Sequence, residues 1–147
     1  MRGGERQKQH NMTTVEEFQQ LCVKGQLADA KRALRINPDI DVGADNDFAF
    51  RYACINGHLR VAQWLLRVKP DINVSAGNEF AFRLACIHGH LRTAQWLLRV
   101  KPDIDVGADN ESALHYACDY ACDIKHALVA RWMLFQVKSD INIGLTL

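Results

Sequence analysis

No run of about 18 apolar residues occurs anywhere in the chain, so nothing in it reads as a membrane span. The first eleven residues, Met1 to Asn11, are polar and basic and carry two glycines. They lack the apolar stretch of a signal peptide and read as a disordered tail. Charge of one sign is not in excess: the net formal charge is +1. No global field therefore draws the chain toward nucleic acid or an anionic membrane. Glycine-rich phosphate loops, nucleotide fingerprints and paired catalytic carboxylates are missing. The expectation is a non-enzyme without cofactor. Five cysteines are an odd number and suit a reducing, intracellular compartment, cytoplasmic or nuclear, better than a disulfide framework. What remains is 147 residues, room for one domain with a sizeable core.

The chain does contain a repeat, the feature that decides architecture first. Phe48-Ala49-Phe50-Arg51 recurs as Phe80-Ala81-Phe82-Arg83, and Gly57-His58-Leu59-Arg60 as Gly89-His90-Leu91-Arg92. Trp64-Leu65-Leu66-Arg67 returns at Trp96, and Lys69-Pro70-Asp71-Ile72 at Lys101. The period is 32 residues. A weaker copy precedes, with Phe18, Cys22, Gly25, Leu27, Ala30, Leu34 and Pro38 in register. A fourth follows, with Ala113, Leu114, His115, Ala117, Cys118 and Trp132. An insertion of four residues near Ala121 to Ile124 separates its halves.

Each copy reads as two short helices and a turn. In the second copy, Phe50, Ala53 and Cys54 make one apolar face of a helix from about Asp47 to Asn56. Gly57 stops it. A second helix runs from about Leu59 to Val68, with Leu59, Ala62, Leu65 and Leu66 inward. Pro70 forbids its continuation. One such unit cannot bury its own apolar faces, so the units must stack. Thr13 and Glu16 form a capping-box pattern at the first helix.

Ala53 to Leu66, Ala-Cys-Ile-Asn-Gly-His-Leu-Arg-Val-Ala-Gln-Trp-Leu-Leu, resembles the core of the ankyrin repeat. Asp71-Ile72-Asn73 resembles its finger, and Ser112-Ala113-Leu114-His115 its Thr-Pro-Leu-His opening. The resemblance implies an all-α repeat solenoid: stacked helix-turn-helix repeats with short hairpin fingers. The repeats fall near 13–44, 45–76, 77–108 and 109–147, in a domain from residue 12 to 147. It also implies protein binding along a concave groove of fingers and first helices. Two departures stand out. Phe48-Ala49 and Phe80-Ala81 replace the Thr-Pro opening, so Asn46 or Asp47, and Asn78 or Glu79, are the available caps. Lys69 and Lys101, each before proline, replace a helix-ending glycine, and a residue before proline leans extended.

Most chemistry-bearing residues are absorbed by the repeat. Cys22, Cys54, Cys86 and Cys118 lie 32 residues apart. Adjacent packed helices sit roughly 8–10 Å apart, beyond the Cα separation of about 7 Å that a disulfide tolerates. They read as small core residues with blunted thiols. His58 and His90 follow glycine and read as bonds between repeats. His115, Cys118, Cys122 and His126 are a metal-like set, but on one helix they would spread over about 16 Å; no metal is expected. Trp64, Trp96 and Trp132 read as packing between second helices.

Two features are left for function. Acidic residues fall on the turns and arginines on the helices: Arg60, Arg67, Arg92 and Arg99 on the second helices, Arg51 and Arg83 on the first. Arg51 and Arg83 read as partners of turn carboxylates. The two near-identical copies differ chiefly on the first helix and the turn. Contact is therefore assigned to Tyr52, Asn56, Leu84, His88, Tyr116 and Tyr120. Steering of a protein partner with a basic patch is assigned to Asp45, Asp47, Glu79, Asp109 and Glu111. The alternative is a structural protein that self-associates, or a piece of a longer array.

Overall fold

The structure, a computed structural model, describes residues 13–120 and 122–145, with the side chains at 109–111 and 137–145 outside that description. The expected tail therefore lies outside the described residues. The described part is helical throughout: α1 (Val15–Val23), α2 (Leu27–Ile36), α3 (Ala44–Ile55), α4 (Leu59–Val68), α5 (Ala76–Ile87), α6 (Leu91–Val100), α7 (Ala108–Asp119) and α8 (Ile124–Leu145). It falls into two compact units, 1–53 with 58–72 and 54–57 with 73–147.

In the first unit α1 opens on Thr14, whose hydroxyl accepts from the Glu17 amide while the Glu17 carboxylate accepts from the Thr14 amide. The capping box is thus one residue later than Thr13 and Glu16. Both pairs fit the Thr-x-x-Glu spacing, and packing selects the one that points Phe18 and Cys22 inward. Phe18, Ala30, Ala53 and Leu65 are fully buried there. In the second unit Phe82, Ala85, Cys86, Ala94, Leu97 and Ala117 have no exposed surface.

One aromatic step recurs in both units. Trp64 meets Phe18 with ring centroids 6.2 Å apart at 57°. Trp132 meets Phe82 at 6.2 Å and 58°. Such tilted pairs stabilise beyond area burial by about 1 kcal/mol. The tryptophan therefore packs onto the first-helix phenylalanine of the copy before it.

The second helices start and stop as their sequence dictates. α4 spans Leu59–Val68, and its cap Lys69 sits at φ −131°, ψ 85°, the extended region required before Pro70. Asn37 and Lys101 do the same after α2 and α6.

Fingers are where the fold differs. Among the described residues there is no strand, so the expected hairpin fingers are tight turns. The Ile72 amide donates to Lys69 O, the Ala76 amide to Asn73 O, and the Ser75 amide to the Asn73 side chain. Those bonds fold the segment back on itself and leave no paired extended runs.

The opening of the first helix differs too. Asp45, Asn46 and Asp47 have φ of 56°, 58° and 58°, and Gly77, Asn78 and Glu79 have 67°, 56° and 62°. Each trio makes one left-handed turn, closed by the Asp47 amide on Gly43 O and by the Glu79 amide on Ser75 O. Right-handed helix begins only at Phe48 and Phe80. Asn and Asp tolerate this region better than other L residues, at a cost of about 1–2 kcal/mol each. They are thus the turn itself, rather than N-caps of the helix.

Candidate functional site

The left-handed turn needs its carbonyls satisfied, and an arginine one turn into the helix does it. Arg51 donates through Nε to Asn46 O at 2.8 Å and through Nη2 to Asp45 O at 3.0 Å. Arg83 reaches Asn78 O at 2.9 Å and Gly77 O at 3.5 Å. Both guanidinium groups grip turn carbonyls, acceptors that the sequence did not point to. A planar fork suits two adjacent carbonyls, as it suits a carboxylate.

The turn also fixes the acidic residues. Asp45 is exposed and accepts from Gln19 Nε2 at 2.9 Å. Asp47 and Glu79 point inward, with 7% and 9% of their surface exposed. Asp47 lies 3.8 Å from Lys69 Nζ, which also meets Asp71 at 3.1 Å. The hydrogen bond with Asp71, and then the charges of Asp47, Asp71 and Asp41, hold the Lys69 ammonium above its usual pKa. Asp47 and Glu79 are therefore largely withdrawn from the surface on which steering was expected of them. The side chains of Asp109 and Glu111 lie outside the described residues.

The contact residues form two repeat columns. Tyr52, Leu84 and Tyr116 stand 32 residues apart, as do Asn56, His88 and Tyr120. Asn56, His88, Tyr116 and Tyr120 are exposed, the two tyrosines by 48% and 53%, while Tyr52 and Leu84 are half-buried. Ala53, Ala85 and Ala117, each one residue after the first column, are all fully buried. One helix thus keeps an invariant small residue inward and a changing polar or aromatic residue outward.

Local packing holds these side chains in place. Tyr52 stacks on Phe48 at 4.2 Å. Tyr116 and Tyr120 lie parallel, 6.4 Å apart. Tyr120 in turn faces the His126 ring at 5.7 Å, and His88 faces His90 at 6.4 Å.

His126 has a role that the sequence reading missed. A Cβ built on Gly25 would strike His58, one on Gly57 would strike His90, and one on Gly89 would meet Lys125 and His126. These glycines sit at φ near +75°, so they both end the first helix and admit the next copy's histidine. His126 Nε2 lies 3.0 Å from Ile87 O. It is the third member of the Gly-His column, displaced by the four-residue insertion. The spacing from His90 to Trp96 equals that from His126 to Trp132, and this was the signal available in the sequence.

Cys22, Cys54 and Cys86 are buried, and burial pushes the Cys22 thiol up to about 12 and raises Cys54 and Cys86 as well. Cys118 was expected in the same core column. It is exposed, as is Cys122, because α7 presents that side to solvent.

The model of the ankyrin repeat family, as three copies, matches residues 50–144. Among solved structures, an ankyrin repeat family protein from Legionella pneumophila superposes with a TM-score of 0.65 at 30% identity. The match covers 80% of this chain and 36% of that one, so the chain spans about a third of its relative's length. No curated relative matches the chain. Ankyrin repeats generally bind other proteins and are a non-catalytic fold. Among the described residues no helix is long and apolar enough to cross a membrane.

Proposed function

This chain belongs to the ankyrin-repeat family, and from that premise we propose that it is an interaction module whose partner contacts the outward columns of the first helices. The observation that carries this reading is the pairing of variable, exposed side chains at Asn56, His88, Tyr116 and Tyr120 with an invariant alanine beneath them. Packing explains why Ala53, Ala85 and Ala117 are alike. It gives no reason for Asn, His and Tyr to alternate one turn away. Tyrosine offers a large, rigid contact area with a polar tip, the chemistry of interface anchors. Asp45 adds a surface carboxylate that favours a basic partner. The face of the second unit that carries Asn56, His88, Tyr116 and Tyr120 is the proposed seat, in an intracellular setting.

A Tyr52→Ala, His88→Ala, Tyr116→Ala triple variant tests the reading. Affinity capture from a cell extract, read by mass spectrometry, is expected to lose its specific proteins in the variant. Equal recovery from both proteins sinks the proposal.

A second reading, self-association, rests on α8. Arg60 and Arg92 have Leu128 at their repeat position, and Arg67 and Arg99 have Phe135. Leu128 and Phe135 are 47% and 70% exposed, with Ile124 beside them at 77%. An apolar stripe has replaced a charged one on the same helix face. Light scattering across a concentration series decides: a constant monomer mass excludes this reading, and a rising mass abolished by Phe135→Arg supports it.

A further inference from the structure

The second helices of the first unit enclose a cleft that the groove reading does not use. Ala28, Lys31, Arg32, Leu34 and Arg35 of α2 line one wall, and Trp64 and Val68 of α4 the other. Its volume is about 550 Å³, within the range of ligand clefts. The floor is apolar, with Leu34 and Trp64, while Lys31, Arg32 and Arg35 are exposed at the rim. These three cations make no ion pair or hydrogen bond with any described residue. The helices α2 and α4 carry five basic residues, Lys31, Arg32, Arg35, Arg60 and Arg67, against a single acid, Asp29.

The second unit repeats the same construction with one cation in place of three. There Gln95, Leu98, Arg99, Trp132 and Gln136 line a cleft of about 360 Å³. Gln95 stands at the repeat position of Lys31, Leu98 at that of Leu34, and Arg99 at that of Arg35. Packing of the tryptophan against the preceding second helix therefore makes the hollow, and the cluster of cations is particular to the first one. A row of cations along one wall of an apolar cleft is complementary to carboxylates beside an apolar side chain.

We propose that the cleft between α2 and α4 is a second docking site, for an acidic segment of a partner protein that inserts an apolar side chain between Leu34, Trp64 and Val68. Carboxylates on either side of that side chain accept from Lys31, Arg32 and Arg35. A nucleic-acid strand fits less well. Trp64 is 9% exposed and offers no free ring face on which a base could stack. The site is independent of the first-helix columns.

The test uses a fluorescein-labelled nonapeptide of glutamates with two leucines three positions apart, read by polarisation. The full chain is expected to bind it, more weakly as salt rises. A Lys31→Glu, Arg35→Glu variant should bind roughly tenfold more weakly, the loss of one or two charge-assisted hydrogen bonds. Both residues are exposed, so an unchanged circular dichroism spectrum and melting temperature certify the fold. Arg99→Glu and the Tyr52, His88, Tyr116 triple variant should bind like wild type, which separates this site from the first-helix columns and from the single-cation cleft. Replacing the leucines by serine, or the glutamates by glutamine, should abolish binding. No binding to wild type, equal binding to the Lys31, Arg35 variant, or equal binding of the glutamine peptide overturns the proposal. So does tighter binding of an oligothymidine with the same sensitivity to Lys31 and Arg35, which would make the site a polyanion surface.

Discussion

Gly43, Asp47, Lys69 and Asp71 in one unit occupy the repeat positions that Ser75, Glu79, Lys101 and Asp103 occupy in the other. In the first set the Lys69 stem lies directly over Gly43, where a Cβ would come 2.5 Å from Lys69 Cε. From there Lys69 reaches both Asp47 and Asp71. In the second set Ser75 fills the space, and Lys101 turns to Asp103 at 3.0 Å. Ser75 Oγ and Glu79 Oε2 are then both buried without a hydrogen-bond partner. Two replacements, serine for glycine and glutamate for aspartate, separate a satisfied turn from an unsatisfied one. The two turns share their left-handed path, and differ in what the path encloses.

The largest expected effect breaks what the turns share. Arg51→Ala strips two carbonyl bonds from a trio of non-glycine left-handed residues and should cost about 2 kcal/mol. Arg83→Ala should cost about half as much, since Gly77 carries no Cβ strain and its carbonyl is already 3.5 Å from the guanidinium. Urea melts of the two variants check this. Equal losses would mean that the arginines act elsewhere than on the turn.

Next in size is the change that makes the first turn resemble the second. Gly43→Ser displaces the end of the Lys69 side chain, which is flexible, so the steric cost is small. The loss is the Lys69–Asp47 pairing, a 3.8 Å contact whose contribution solvent screening keeps modest. Thermal melts of Gly43→Ser and of the Gly43→Ser, Lys69→Met double variant separate the two terms. If the second substitution adds as much as it does in wild type, Gly43 does not act through Lys69.

The reverse change should stabilise. Glu79→Gln exchanges a buried carboxylate with one unpartnered oxygen for a neutral amide of the same shape, a gain of about 1 kcal/mol. Ser75→Gly removes the orphan hydroxyl, but glycine's backbone entropy offsets most of that. A melting temperature unchanged by Glu79→Gln would show that its buried oxygen is satisfied by water.

The sequence made the helices legible and hid this comparison. Period, apolar spacing and the Lys-Pro stop place α4 at Leu59–Val68 to the residue, because each is a local constraint. The Gly-His column was legible as well, though the insertion disguised its third member, His126. The left-handed turn was not. Asp45-Asn46-Asp47 are good N-caps and also good left-handed residues, since both roles use a short polar side chain beside its own backbone. Propensity alone does not choose between the two roles. The choice is made by Arg51, whose guanidinium reaches back to carbonyls five and six positions earlier. The inward acids were hidden for the same reason: a left-handed path rotates Asp47 and Glu79 from the surface expected for a finger. The basic cleft is not legible in the sequence, because Lys31, Arg32 and Arg35 sit on an exposed helix face and only the fold sets Trp64 against them.

The smallest effect concerns acid. A hydrogen bond from Lys69 holds the Asp71 carboxyl below its ordinary range, and one from Lys101 does so for Asp103. A carboxyl whose folded pKa is depressed stabilises fully above its unfolded value, near 3.9, and loses that stability as pH falls through the folded value. Both aspartates are solvent-exposed, so screening keeps the contribution small. Asp71→Asn and Asp103→Asn should therefore leave the melting temperature at pH 7 little changed and flatten its fall below about pH 4. The flattening should be greater for Asp103→Asn. Lys69 still faces Asp47 when Asp71 is gone, so part of its pairing survives, whereas the Lys101 ammonium donates to both Asp103 carboxylate oxygens, at 3.0 and 3.2 Å. Equal acid limbs for the two variants would show that Lys69 gains nothing from Asp47, and the contrast between the two turns would then rest on Ser75 and Glu79 alone.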